Sequence, residues 1–133
     1  MPAVDRDAVL RGWLERTLGT YPEQTTRFLA GEKDPFRNPV GQAYKEGLPV
    51  LLDEVLGGMD AERIDRALDN IVRIRAVEQR PPSEAVGFIL ILKSFLPERE
   101  KRIDELALRA FNVYMQCREK LWEIRLTQAR RRA

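Results

Sequence analysis

Residues 85–96 read Ala-Val-Gly-Phe-Ile-Leu-Ile-Leu-Lys-Ser-Phe-Leu, and they lie between Pro81-Pro82 and Pro97. Proline in a helix interior removes a backbone donor and clashes with the preceding turn, so these prolines bound the segment. Within it, Val86, Phe88, Ile89, Leu90, Ile91, Leu92, Phe95 and Leu96 leave no polar face. A helix apolar all round is a buried one. The sequence therefore predicts several helices gathered around this one as the centre of the fold, with Lys93 and Ser94 at its rim. Ser83 is the expected cap, with Pro82 just before it.

Helical punctuation recurs along the chain and strand signals are nearly absent. Asp5 or Asp7 can cap a first helix to about Leu18, with Val9, Leu10, Trp13 and Leu14 on one face and Gly19-Thr20 as the stop. Pro22 suits the first turn of a short second helix that turns Phe28 and Leu29 inward and closes at Gly31. A third helix should run from about Pro39 to Leu56, with a kink or break at Gly47 and Pro49, and end at Gly57-Gly58. Asp60 caps a fourth helix to about Glu78, whose spine is Ile64, Leu68, Ile71 and Val72. A sixth helix runs from Glu98 to about Gln128. One of its faces carries Ile103, Leu106, Ala110, Val113, Cys117 and Ile124. A second carries Ala107, Phe111, Tyr114, Leu121 and Trp122. One face can serve the core and the other a partner helix. Residues 129–133, with Arg130, Arg131 and Arg132, form a basic, frayed tail that suits the helix dipole and solubility. The fold class is all-α, about six helices with a long C-terminal one.

Composition narrows function mainly by exclusion. At 133 residues the chain fits one domain that buries roughly two-thirds of its unfolded surface. A net charge of +2 supplies no global attraction to nucleic acid. The run Ile89-Leu90-Ile91-Leu92 is far too short to enter and span a bilayer. Charged Asp5, Arg6 and Asp7 stand where a signal peptide would need apolar residues. A single cysteine, Cys117, excludes an internal disulfide, and these features together point to the cytoplasm.

There is no histidine. The commonest general base, metal ligand and proximal haem ligand are all missing, so no haem or other cofactor is expected. No catalytic constellation replaces it. Cys117 reads as a structural thiol in a helix seam. Glu15, Glu23, Asp53, Glu54 and Asp60 lack metal-site spacing. Gly57-Gly58 is a helix stop and not a phosphate loop. An enzyme is the least favoured class.

Two polar features remain. The loop Asp34-Pro-Phe-Arg-Asn-Pro-Val-Gly41 contains two prolines, an aromatic and a guanidinium, which predicts a packed loop of defined shape. Asp69 and Arg73 are four apart and can pair on a helix surface, while Arg75 falls close to the apolar sector and needs a partner. The favoured reading is that Arg73 or Arg75 fastens the loop through Asp34 or the Asn38 backbone. An anion site built from Arg37, Arg73 and Arg75 and a protein-contact surface are the alternatives.

The proline loop, then Gly47-Leu48 and Leu51-Leu52, then Asp69-Asn-Ile-Val-Arg-Ile-Arg-Ala-Val77, then Pro82-Ser-Glu-Ala-Val-Gly-Phe88, together resemble the N-terminal domain of the RsbR/RsbRD type. The resemblance covers about Trp13 to Tyr114. These domains belong to co-antagonists of the bacterial kinase RsbT. The resemblance implies a non-haem relative of the globin fold, a homodimer, and a sensory role at the stressosome in stress or redox signalling, with a long final helix leading to a phosphorylatable STAS domain. No STAS segment follows within this sequence, so RsbT binding does not carry over, and a stand-alone sensory module or a piece of something longer is expected. The expected partners are a second copy and another protein, not nucleic acid or membrane. The expected dimer surface is Val113, Cys117, Leu121, Trp122, Ile124 and the following Leu126. A haem-free pocket for a fatty or anionic ligand, between the third, fourth and fifth helices, is the alternative function.

Overall fold

Asp5 Oδ1 accepts from the Ala8 N–H at 3.1 Å and opens α1 (Arg6–Leu18), which Gly19 closes. In this computed structural model, which describes residues 4–132, α2 (Glu23–Gly31) follows Pro22. Next come α3 (Pro39–Leu56), α4 (Ala61–Val77) and α5 (Pro82–Ile91), then two 3₁₀ turns at Leu92–Ser94 and Pro97–Arg99, and finally α6 (Glu100–Arg132). The described residues contain no strand. Among the described residues no helix is long and apolar enough to cross a membrane.

The core is a single cluster. Trp13 of α1, Leu48, Leu51, Leu52 and Val55 of α3, Ile64, Leu68 and Val72 of α4, Ile89 of α5, and Ile103 and Leu106 of α6 are all fully buried. The centre differs from the expectation. The helical spine is α4, which packs on α3, α5 and α6, while α5 lies between α1, α4 and α6. The apolar segment also stops being α-helical at Ile91, and Leu90 is half exposed. Its residues still supply core, through Ala85, Phe88, Ile89, Leu92 and Leu96. The 3₁₀ turn lets a segment with no polar face reach several neighbours. Lys93 and Ser94 do stand at the rim, where Lys93 Nζ meets Asp104 Oδ1 at 2.6 Å and Ser94 Oγ accepts from Arg16 at 2.6 Å.

Four local expectations are corrected. Phe28 is 44% exposed and lies outside the core, and Leu29 alone anchors α2 there. Of the expected kink or break at Gly47 and Pro49, the break does not occur: α3 runs unbroken through Pro49, because the buried ridge of Leu48, Leu51 and Leu52 holds the helix across the missing donor. Ser83 does not cap α5, which starts at Pro82 behind Pro81 without a side-chain cap. The arginine tail is helical to Arg132, and Ala133 lies outside the described residues.

The end of α4 has no glycine to mark it. Gln79 takes a left-handed conformation (φ 59°), its N–H bonds to Ala76 O, and Arg80 N–H bonds back to Arg75 O at 3.2 Å. This is a Schellman closure on a non-glycine residue. It turns Arg80 back over the C-terminal end of α4, where Tyr114 Oη donates to the Arg80 carbonyl.

Candidate functional site

The proline loop is pinned from within. Asn38 is 1% exposed. Its Oδ1 accepts from the Gly41 N–H at 2.9 Å and caps α3, while Nδ2 donates to Leu29 O at 2.9 Å and Glu32 O at 3.0 Å at the end of α2. One amide thus closes α2 and opens α3. Asp34 shapes the turn by accepting from the Phe36 N–H at 3.0 Å. Arg37 is exposed, and Phe36 is 97% exposed, so the aromatic is not packing material for the loop.

The arginines of α4 do not fasten that loop by hydrogen bonds. Arg73 pairs with Asp69, as the four-residue spacing implies. It shares with Pro35 and Pro39 the wall of a groove of about 630 Å³ between α3 and α4. Arg63 and Arg66 also line this groove. Arg63 meets Glu54 at 3.1 Å and Arg66 meets Glu62 at 3.1 Å. Every arginine of α4 on this groove therefore already has a carboxylate.

Arg75 projects to the opposite side of α4. It is 6% exposed, and its guanidinium lies 4.5 Å over the Tyr21 ring. Its hydrogen bond to Glu84 O is long, at 3.4 Å, and Nε is buried without a protein acceptor. Arg75 helps line a cavity of about 370 Å³ between the ends of α1 and α4, the start of α2, the middle of α3 and the face of α5. Buried Thr17, Tyr44, Arg75 and Phe88 form its floor, while Thr20, Pro22, Arg80, Ser83 and Glu84 stand exposed at its mouth. Thr17 Oγ1 is a second buried polar atom without a partner. The Tyr21 and Tyr44 hydroxyls are 3.4 Å apart. Burial, with Tyr44 alongside, pushes the Tyr21 phenol far above its ordinary value, so it stays a neutral donor. Phe88 is wedged between Trp13, stacked at 6.4 Å, and Tyr44, edge-on at 5.6 Å, and its carbonyl accepts from Trp13 Nε1 at 2.7 Å.

The six residues of the expected loop or anion site thus divide. Asp34, Arg37 and Asn38 belong to the loop, Arg73 lines the groove while its partner Asp69 is half-buried on the side of α6, and Arg75 stands in a separate cavity. Tyr21, Tyr44 and Thr17 escaped the sequence reading, because they come from three other helices or their connections. A buried arginine on an apolar helix sector was the only signal.

The last helix carries two apolar stripes. Ile103, Leu106, Ala110, Val113 and Tyr114 are buried in the domain, and Ala107, Cys117 and Leu121 pack at its edge. Val113, expected at a dimer surface, is therefore core. Cys117 and Leu121 are partly covered by the domain, and burial pushes the Cys117 thiol up. Arg109 clasps Asp65 of α4 through two bonds, at 3.1 and 2.8 Å, and holds the two helices in register. On the outer side Leu108, Phe111, Met115, Trp122 and Leu126 are exposed, Trp122 by 61%. Their steps of three, four, seven and four residues place them along one stripe of the kind that pairs helices. The expected second face was one residue out of register, with Ala107 and Tyr114 where Leu108 and Met115 stand. Residues 122–132 are all exposed, so α6 overhangs the domain by about 16 Å at 1.5 Å per residue. Ile124 lies on this overhang, past the last core contact.

Comparison with known proteins gives one family. The model of the RsbT co-antagonist protein rsbRD N-terminal domain matches residues 7–100, which takes in α1 to α5 and stops where α6 begins. An uncharacterised protein of Archaeoglobus fulgidus is 25% identical, and the alignment covers 94% of this chain and 85% of that protein. No solved structure matches.

Proposed function

This chain belongs to the RsbRD N-terminal domain family, and from that membership we propose that it is a non-enzymatic sensory or regulatory domain that works as a homodimer in the cytoplasm. The observation that carries the dimer is the outer stripe of α6. Leu108, Phe111, Met115, Trp122 and Leu126 stand in water on one chain. Fully burying one such side chain contributes about 1.5–3 kcal/mol. Two copies related by a two-fold axis bury the stripe using a single kind of surface. The overhang beyond Leu121 then becomes a projecting pair of helix ends, suited to pass a change in helix packing to a protein partner. In this reading the domain contributes to stress or redox signalling as its family does, and it needs no catalytic group.

The test is a Leu108→Glu, Met115→Glu double substitution. Both positions are exposed, so the variant keeps the monomer core. It is expected to remain helical by circular dichroism and to be monomeric by light scattering, with the parent dimeric. A parent that is monomeric at high micromolar concentration refutes the homodimer.

A further inference from the structure

Arg75 differs from the other arginines of α4. Arg63, Arg66 and Arg73 are exposed and each holds a carboxylate. Arg75 is buried, and no ion pair within 4.0 Å involves it among the described residues. A buried charge without a counter-charge is unfavourable, because desolvation is not repaid by Coulomb attraction. The Tyr21 ring offsets part of that. The Glu84 carbonyl, at 3.4 Å, lies outside good hydrogen-bond distance.

We infer that the cavity at Arg75 binds a small monocarboxylate, its carboxylate on the Arg75 guanidinium and its short hydrocarbon tail against Phe88 and Ile91. Charge selects a monoanion. The cavity floor carries one positive charge. At the mouth Arg80 lies between two carboxylates, 3.7 Å from Glu78 and 3.6 Å from Glu84, so the rim offers no surplus cation and would repel a dianion. Shape selects a carboxylate, since the planar guanidinium fork matches its two oxygens. The tyrosine pair has two hydroxyl protons and uses one between them, which leaves one to donate, and the Thr17 hydroxyl is unspent. Size selects a short chain, because about 370 Å³ is at the low end for ligand sites. The uncapped start of α5, at Ser83 and Glu84, adds the positive end of a helix dipole. That the carboxylate acts as a signal rests on the regulatory reading above; its binding does not.

Sodium butyrate is the probe and butyramide its uncharged control, titrated into the full ¹⁵N-labelled chain. The reporter is the Trp13 indole N–H, bonded at 2.7 Å to the carbonyl of cavity residue Phe88, and the Trp122 indole on α6 is the reference in the same spectrum. Butyrate is expected to shift the Trp13 signal saturably, and butyramide is not. Arg75→Gln is expected to weaken binding by about tenfold or more, the weight of one charge-assisted hydrogen bond. Should Arg75→Gln fail to fold, Arg75→Lys carries the test. It keeps the charge, loses the fork and must weaken binding measurably. Equal responses to butyrate and butyramide, tighter binding of inorganic phosphate, or affinity unchanged by these substitutions each overturn the assignment. The same titration on the Leu108→Glu, Met115→Glu chain separates the two proposals. Butyrate binding by a chain whose parent is monomeric leaves this site standing and the homodimer refuted, and a dimer that ignores butyrate does the reverse.

Discussion

Replacing Asn38 with alanine removes, at one stroke, the closure of α2 and the cap of α3. The lost cap costs about 1 kcal/mol. The Leu29 and Glu32 carbonyls lose the amide donor at 2.9 and 3.0 Å, and a buried acceptor left unsatisfied costs about 1–3 kcal/mol. Because water can reach the end of α2 more easily than a closed core, a combined loss of about 2–4 kcal/mol is expected. Unfolding entropy of about 2.1 cal/mol/K per residue over 133 residues gives roughly 0.28 kcal/mol/K, so Tm should fall by roughly 7–14 °C. Guanidinium unfolding followed by far-UV circular dichroism measures the first figure and a thermal scan the second. Asn38→Asp is the discriminating partner. At an ordinary N-cap, aspartate and asparagine are about equal. Here aspartate keeps the acceptor for Gly41 but turns a carboxylate oxygen towards carbonyl oxygens, so it should be no more stable than alanine. If Asn38→Asp matches the parent, or Asn38→Ala costs under about 1 kcal/mol, the two-helix role of this amide is refuted.

Three further outcomes follow from single contacts. A Cβ on Gly47 would lie 2.6 Å from Ile71 Cδ1, so Gly47→Ala should lose about 1–2 kcal/mol despite its better helix propensity, and Ile71→Val should relieve part of that in a double-mutant denaturation cycle. Gln79→Gly, at φ 59°, should gain about 0.5–1 kcal/mol, and a lower Tm would contradict the strained closure of α4. Hydrogen bonding from Arg6 holds the Asp53 carboxyl below its ordinary value of 3.8. A carboxyl depressed in the folded state stabilises above its unfolded pKa and loses that contribution as pH falls through the folded one. Asp53→Asn should therefore be less stable than the parent at neutral pH, and the gap should close as pH drops below about 4; a gap independent of pH would exclude the ion pair as its cause.

Local chemistry placed most of the helix starts and stops, although packing carried α3 through Pro49 and ended α5 at Ile91. Aspartates at positions 5 and 60, prolines at 22, 39 and 82, and the glycines after Leu18 and Leu56 act within a few residues of themselves, so their effect is readable from spacing. The same holds for the Asp69–Arg73 pair, the Ile64–Val72 spine and the missing histidine. The proline loop was legible as a defined shape, but not the means of its definition, since the donors and acceptors of Asn38 come from α2 and α3 together. The register of the α6 stripes was legible to within one residue. Which stripe faces inward depended on where α4 lies, because only the packed neighbour decides which of two apolar faces is covered. The Arg75 cavity was the least legible feature. Thr17 and Tyr21 at the end of α1, Tyr44 and Phe88 are far from one another and from Arg75 in the chain and meet only when α1, α3, α4 and α5 pack, and burial, which makes the Arg75 charge consequential, is a property of that packing and not of any local sequence.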